Sequence, residues 1–384
     1  MKSAIYTAHD TFDKSSLKVV VKGLYEDIHN GFGSYDYLLF ALPPTVNIEK
    51  ASQYITQYFH TEAFLVFHAI EHFNNEKIVK NSLSACCLQF QKNASLKPFC
   101  IPDITEKGSV EKVSHYLNNN RDKFHIVLAG LCDGEVGSFV EEISQKLNYT
   151  PIDNIVGGVS SGINKEGKLQ AFQYIGKKLI EHGFILLSFS NIEACIDVAL
   201  GFKAYGITYE ITKAKGNKLY SVDDGKSFSY IAKKMLNALE GEFDIRNLWY
   251  SPLSILNAQN GYVETVRTVA NIQNNYVEFF APLKEGDFFK LSFATPKDLL
   301  KTDKEVATFL HKKMSEPELA FNFSCIARQY VLEDQHDKES AIYVEKFNTN
   351  LFGFFTFGEI GPDKMQKKLK FYNETSLVAV MREK

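Results

Sequence analysis

Three groups of residues in this chain have types and spacing that could do chemistry. Gly158-Val159-Ser160-Ser161-Gly162 matches G-x-S-x-G, which in hydrolases turns sharply from a strand into a helix and presents its serine as a nucleophile. The residues that follow, INKEGKLQAFQY, read as a glycine-bearing turn into another strand. The helix that would help build an oxyanion site is therefore missing, and the segment is expected to be a turn at the end of a buried strand. His68-Ala69-Ile70-Glu71-His72 matches H-x-x-E-H, which on a helix sets two imidazoles and a carboxylate on one face for zinc hydrolysis. The preceding EAFLVF resembles a buried strand, so His68 and His72 belong at a strand end, where they could still meet a ligand. Arginine occurs at only five positions, 121, 246, 267, 328 and 382. Arg267 and Arg328 sit in strand-like contexts, where a planar donor fork either anchors a ligand carboxylate or closes a structural ion pair.

The elements that must position these groups alternate in kind. Helical spacing and end charges predict helices over Asn47 to Phe59, Gly134 to Leu147, Ser227 to Leu239 and Lys304 to Met314. Short apolar runs predict more strands than helices, among them Tyr35 to Leu42, Phe124 to Leu131, Asn154 to Val159, Lys168 to Tyr174, Gly183 to Ser190, Ala320 to Ala327 and Leu351 to Phe357. One pattern recurs three times. A strand (YLLFAL, HIVLAGL, FNFSCIA) leads through a helix to a second strand (AFLVFHAIEH, NIVGGVSSG, LFGFFTFGEIG), a polar turn and a third strand (SLSACCLQF, KLQAFQYIG, SLVAVMRE). This is a βαββ unit in duplicated architecture, and long unlike segments between the copies set it apart from a solenoid. The polar, glycine-bearing Gly241 to Asn247 is the expected boundary.

Composition narrows the function. The 384 residues carry 43 Lys+Arg against 46 Asp+Glu, which gives no electrostatic case for nucleic acid or an anionic membrane. Apolar runs such as Tyr37 to Leu42 fall far short of the roughly 20 residues of a membrane helix, and no signal-peptide pattern opens the chain. A cytoplasmic location is expected. The six cysteines, at 86, 87, 100, 132, 195 and 325, lack C-x-x-C spacing and suit buried thiols in a reducing compartment. No G-x-G-x-x-G, phosphate loop or kinase signature is present. The 31 Phe and 19 Tyr against one Trp fit either a core or a pocket wall.

Ser324, Cys325, Arg328, Gly353, Phe354, Gly358, Glu359, Ile360, Gly361, Pro362, Asn373 and Thr375 form a pattern that resembles the C-terminal half of the FIST family of sensory domains. Pro252, Arg267, Glu285 and Gly286 resemble the start of that half, and Gly157, Gly158, Gly206, Thr212, Lys213, Gly216, Asn217, Asp224 and Gly225 resemble the N-terminal half. Two departures stand out: Lys226-Ser227 where Pro-Ala often follows Asp-Gly, and HAIEH where a glycine-containing strand end is common. The resemblance implies two α/β halves, 1–241 and 242–384, of mixed α+β class with recurring βαββ units and mixed sheets. It also implies a small-ligand sensor, with amino acids as suggested ligands and histidine kinases, chemotaxis transducers or cyclic-nucleotide enzymes as partners.

The expected function is thus a stand-alone, non-enzymatic cytoplasmic sensor with its pocket near the interface of the halves, acting through a separate protein. Gly157, Gly158, Ser160, Ser161, Arg267, Cys325, Arg328, Phe357, Gly358 and Glu359 are the expected ligand contacts. Glu359 could accept an ammonium while Arg328 or Arg267 holds a carboxylate. No cofactor or metal is required. Haem is the alternative, since one branch of the resembled family binds it to sense nitric oxide, and a hydrolase using Ser160 or His68, Glu71 and His72 is a further one.

Overall fold

A computed structural model describes residues 1–131, 135–164, 166, 169–235, 245–257 and 261–384, except the side chains of 234, 235, 245 and 246. Cys132, the ends of three expected elements and the expected boundary at 241/242 lie outside the described residues. The first copy of the repeat runs β1 (Lys2–Thr7), α1 (Leu17–Gly31), β2 (Tyr37–Leu42), α2 (Ile48–Phe59), β3 (Phe64–His68), a hairpin β4 (His72–Asn74) and β5 (Lys77–Val79), and β6 (Ser84–Gln89). The second runs β7 (Ser95–Ile101), α3 (Ser109–Asn119), β8 (Phe124–Ala129), α4 (Glu135–Lys146), β9 (Ile155–Val159), hairpin β10 (Gln173–Ile175) and β11 (Lys178–Ile180), and β12 (Phe184–Ser190).

The third copy opens with β13 (Ile192–Ala199) and is interrupted by an inserted sheet. The insert comprises β14 (Lys203–Lys215), β15 (Lys218–Val222), β16 (Lys226–Ser227), α5 (Phe228–Met235), a 3-10 turn (Ile245–Tyr250), β17 (Leu253–Leu256), β18 (Val263–Arg267), β19 (Val269–Ile272), β20 (Val277–Phe279) and β21 (Phe288–Phe293). The copy then resumes with α6 (Pro296–Lys313), β22 (Leu319–Cys325), α7 (Ile326–Leu332), α8 (Asp337–Phe347), β23 (Leu351–Thr356), hairpin β24 (Glu359–Asp363) and β25 (Lys368–Tyr372), and β26 (Ser376–Glu383). The fold is mixed α/β with recurring units, as the sequence implies. The third strand of the second copy is a correction. KLQAFQYIG, expected to be that strand, supplies β10 of the hairpin instead, and β12 takes the third-strand place.

Each copy builds a six-stranded sheet around a parallel pair, β2 with β3, β8 with β9 and β22 with β23. The hairpins are exchanged cyclically. That of the first copy pairs with β23, that of the second with β3, and that of the third with β9. Equivalent backbone bonds mark the three junctions: His68 N–H to Phe172 O, Val159 N–H to Gly358 O and Phe355 N–H to Glu71 O. Inner faces of all three sheets share one core, in which Phe67, Phe321, Phe323, Phe352 and Phe354 meet ring against ring. Helices cover the outer faces. A strand such as YLLFAL is apolar throughout because both its faces are buried, and much of the phenylalanine excess is core.

Candidate functional site

The C-terminal ends of the parallel pairs gather most of the residues expected to bind ligand, which is where α/β sheets place their sites. Ser160 ends a strand that turns into a second strand, with no helix after it among the described residues. Its Oγ accepts from Gln173 Nε2 at 2.9 Å. Ser161 Oγ donates to Phe355 O and accepts from Ile70 N–H at 3.1 Å, tying the second copy to the other two. The elbow geometry is therefore absent. H-x-x-E-H is likewise strand, turn and strand. His68 ends β3, His72 opens β4, and Glu71 pairs with Lys80 at 2.7 Å. His68 Nδ1 accepts from Phe172 N–H at 3.2 Å, so the proton sits on Nε2, which donates to Val46 O at 3.0 Å. Burial pushes His68 down to about 4 and His72 to about 3. No group of three or more metal-ligating side chains occurs among the described residues.

Protein, rather than open space, lies beside the strand-end glycines. A Cβ on Gly157 would stand 2.0 Å from Val127 O, and one on Gly158 would stand 2.5 Å from Thr356 Cγ2. At Gly358, with φ +149°, the Phe371 ring occupies that place at 2.1 Å. Register places Glu359 opposite Gly158, so the expected meeting of the GGVSSG segment with Glu359 occurs. Both Glu359 oxygens are engaged there: one accepts from Thr356 Oγ1, the other from Thr375 Oγ1 at 2.7 Å and Thr375 N–H at 3.3 Å. Burial holds its carboxyl up at about 8.

Arg328 is placed elsewhere. Fully buried, it donates twice from Nη2 to Asp303 (2.8 and 2.9 Å) and once to Glu339 (3.3 Å), while Tyr343 Oη donates to Asp303 at 2.9 Å. This cluster clamps α6, α7 and α8 together, and desolvation raises Asp303 to about 7 despite the guanidinium. Cys325, also buried, ends β22 with its thiol pushed well up by burial and by Glu359 and Glu374. Phe357 stacks on Phe280 of the insert at 6.1 Å.

Arg267 alone among the expected anchors lines a cavity with room for a ligand, about 260 Å³. Three parts of the molecule build it: Glu141 and Ser144 from α4, the hairpin residues Lys368 and Lys370, and the insert residues Glu264, Arg267, Lys284 and Asp287. Most of these charges are paired: Lys284 with Glu141 at 3.1 Å, Lys370 with Glu264 and Asp363 at 3.2 Å each, and Lys368 with Glu264 at 3.8 Å. Arg267 is 4% exposed. Its Nε donates to Pro282 O at 3.0 Å and its Nη1 to Thr265 Oγ1 and Val266 O at 3.0 and 3.1 Å, leaving Nη2 without a partner among the described residues. Asp287 is half-buried, has no ion-pair partner within 4.0 Å among the described residues, and is raised by burial. Sequence reasoning stopped one residue short of Asp287 at Glu285 and Gly286. The turn KEGD carried the signal.

The chain matches the FIST N domain model over residues 37–225 and the FIST C domain model over 231–362. An uncharacterised protein of Aquifex aeolicus (strain VF5) is 28% identical over 267 residues, 68% of this chain and 97% of its own length. Among solved structures, a cyanuric acid hydrolase from A. caulinodans aligns over 100% of this chain and 99% of its own at 10% identity with a TM-score of 0.34. A second cyanuric acid hydrolase structure aligns over 100% of both chains at 7% identity with a TM-score of 0.34. Likeness at that level carries no argument about fold or activity.

Proposed function

Because the chain belongs to the FIST family, whose domains are generally sensory, we propose that it is a cytoplasmic small-ligand sensor whose cavity at Arg267 and Asp287 takes an α-amino acid. The observation that carries this reading is a guanidinium and a carboxylate on one cavity wall, neither of them in an ion pair within 4.0 Å among the described residues. Arg267 Nη2 offers a donor to a carboxylate, and Asp287 offers an acceptor to an ammonium. An amino acid supplies both. Arg267 and Glu359 do not serve one ligand in this arrangement, since Glu359 has spent both oxygens on Thr356 and Thr375.

The cavity also suits signalling. Its walls come from the insert, from α4 and from the exchanged hairpin, so an occupied cavity favours one arrangement of the three, and a separate protein such as a histidine kinase, a chemotaxis component or a cyclic-nucleotide enzyme reads it. No described helix is long and apolar enough to cross a membrane. A binding role rather than a catalytic one is supported by strand, turn and strand geometry at both hydrolase motifs.

A thermal-shift screen against the free amino acids tests the reading. At least one should raise the melting temperature, and Asp287→Asn should weaken that amino acid roughly tenfold or more while leaving the unliganded melting temperature nearly unchanged. A screen in which none binds, or binding that Asp287→Asn leaves intact, defeats it.

A further inference from the structure

The cations around the Arg267 cavity are unequally satisfied. Four line it, Arg267, Lys284, Lys368 and Lys370, against the three carboxylates of Glu141, Glu264 and Asp287. Lys284 holds Glu141 at 3.1 Å, and Lys370 holds Glu264 and Asp363 at 3.2 Å each, Asp363 lying outside the lining. Lys368 is the loose one. Its ion-pair partner Glu264 lies 3.8 Å away, too far for a hydrogen bond. The oxygen it faces, Oε1, already accepts from Lys370. With its side chain 44% exposed, such a pair contributes little. Lys368 can therefore turn to another carboxylate without breaking a hydrogen bond, whereas Lys284 would have to leave Glu141.

Its position matters as much as its freedom. Arg267 and Asp287 belong to the insert, while Lys368 opens β25, in the hairpin whose β24 pairs with β9 of the second copy. Strand alternation puts Lys368 and Lys370 on one face of β25, and Lys370 reaches from that face to Glu264 O, three residues before Arg267. Arg267 Nη1 in turn comes within 3.5 Å of Phe371 O on the same strand. The two halves of the wall stand side by side. A ligand whose carboxylate and ammonium meet Arg267 and Asp287 is held by the insert alone, and a second carboxylate on that ligand extends the grip to the hairpin.

We propose, resting on the amino-acid reading of this cavity, that its ligand is an acidic amino acid, glutamate or aspartate, and that Lys368 selects it by taking the side-chain carboxylate. Such a ligand balances the fourth cation of the lining and ties the insert to the ring across the seam. Glutamine, of the same shape, offers Lys368 only a neutral amide oxygen, and the ammonium of lysine meets a like charge there.

Calorimetric titration of the full-length protein with L-glutamate, L-aspartate, L-glutamine and L-lysine at matched ionic strength tests this. One of the acidic pair should bind most tightly, glutamine about tenfold or more weaker, and lysine not at all. Lys368→Met should bring the acidic ligand down to the level of glutamine while leaving glutamine binding and the unliganded melting temperature unchanged, a split that loss of fold would not produce. Lys368→Gln serves in its place if that variant does not fold. Glutamine binding as tightly as glutamate, a neutral or basic amino acid binding more tightly than either acid, or an acidic preference that survives Lys368→Met overturns the proposal and leaves the sensor reading standing. A preference abolished by Lys284→Met but kept in Lys368→Met also overturns it, by moving the contact to Lys284. Absence of binding by every amino acid defeats the sensor reading itself, and this proposal with it.

Discussion

The three-copy ring and the inserted sheet spend their residues differently. Ring strands such as β2, β3, β8, β9, β22 and β23 are buried along their whole length, and polar groups of the ring bond one another at Arg328, Ser161 and His68. The insert is half open. On β14 and β21, Tyr205, Ile207 and Phe293 are 41%, 67% and 43% exposed. The cavity at Arg267 and Asp287 lies on the seam between the two regions, with walls from the insert, α4 and the exchanged hairpin. A closely packed ring offers rigidity, and an insert docked on it creates a cavity at the seam without opening the ring's own core.

Three substitutions would break or sharpen that contrast. The largest effect belongs to the ring. Arg328→Met leaves Asp303 and Glu339 buried without their cation and should destabilise the protein by about 3–5 kcal/mol in urea unfolding. A loss below about 1 kcal/mol would show that the cluster is not structural, and would return Arg328 to the ligand candidates.

Next comes the pH dependence of the seam. Burial raises Glu359 and Glu374 from an ordinary 4.5 to about 8. The folded protein therefore holds protons that the unfolded chain has released, and these groups make stability fall as pH rises between those two values. Glu359→Gln should flatten part of that fall when urea unfolding is followed across the range. An unchanged slope would mean that Glu359 is ionised in the fold. The smallest effect belongs to the insert surface, where Ile207→Ser should move stability by no more than about 0.5 kcal/mol. A larger loss in the purified protein would reveal that this face is covered in solution.

The sequence made much of the ring legible. The parallel strands are continuous apolar runs such as YLLFAL and HIVLAGL, and double-sided burial writes itself plainly in such runs. The hairpin His72–Asn74 with Lys77–Val79 is too short and mixed in polarity to register, because its pairing partner belongs to another copy. The helix Leu17–Gly31 escaped notice because its consecutive valines mimic a strand. The Thr295-Pro296 start of α6, eight residues before the expected Lys304, is a capping box readable in the sequence. At the sites, residue type found Arg267, yet nothing local distinguishes it from Arg328. Which of the two is neutralised depends on Asp303 and Glu339, brought in by tertiary packing.

The cyclic exchange of hairpins also sets a timetable for synthesis. His72 pairs with Phe354, so the first copy's hairpin emerges from the ribosome roughly 280 residues before its partner strand, a delay on the order of tens of seconds at about 5–20 residues per second. The second copy's sheet waits in the same way for β24. The first copy's sheet is complete once β11 has emerged, whereas the sheets of the second and third copies stay open until the last stretch of chain arrives. A cell making it at high rate would meet its aggregation hazard on the ribosome rather than in the finished fold.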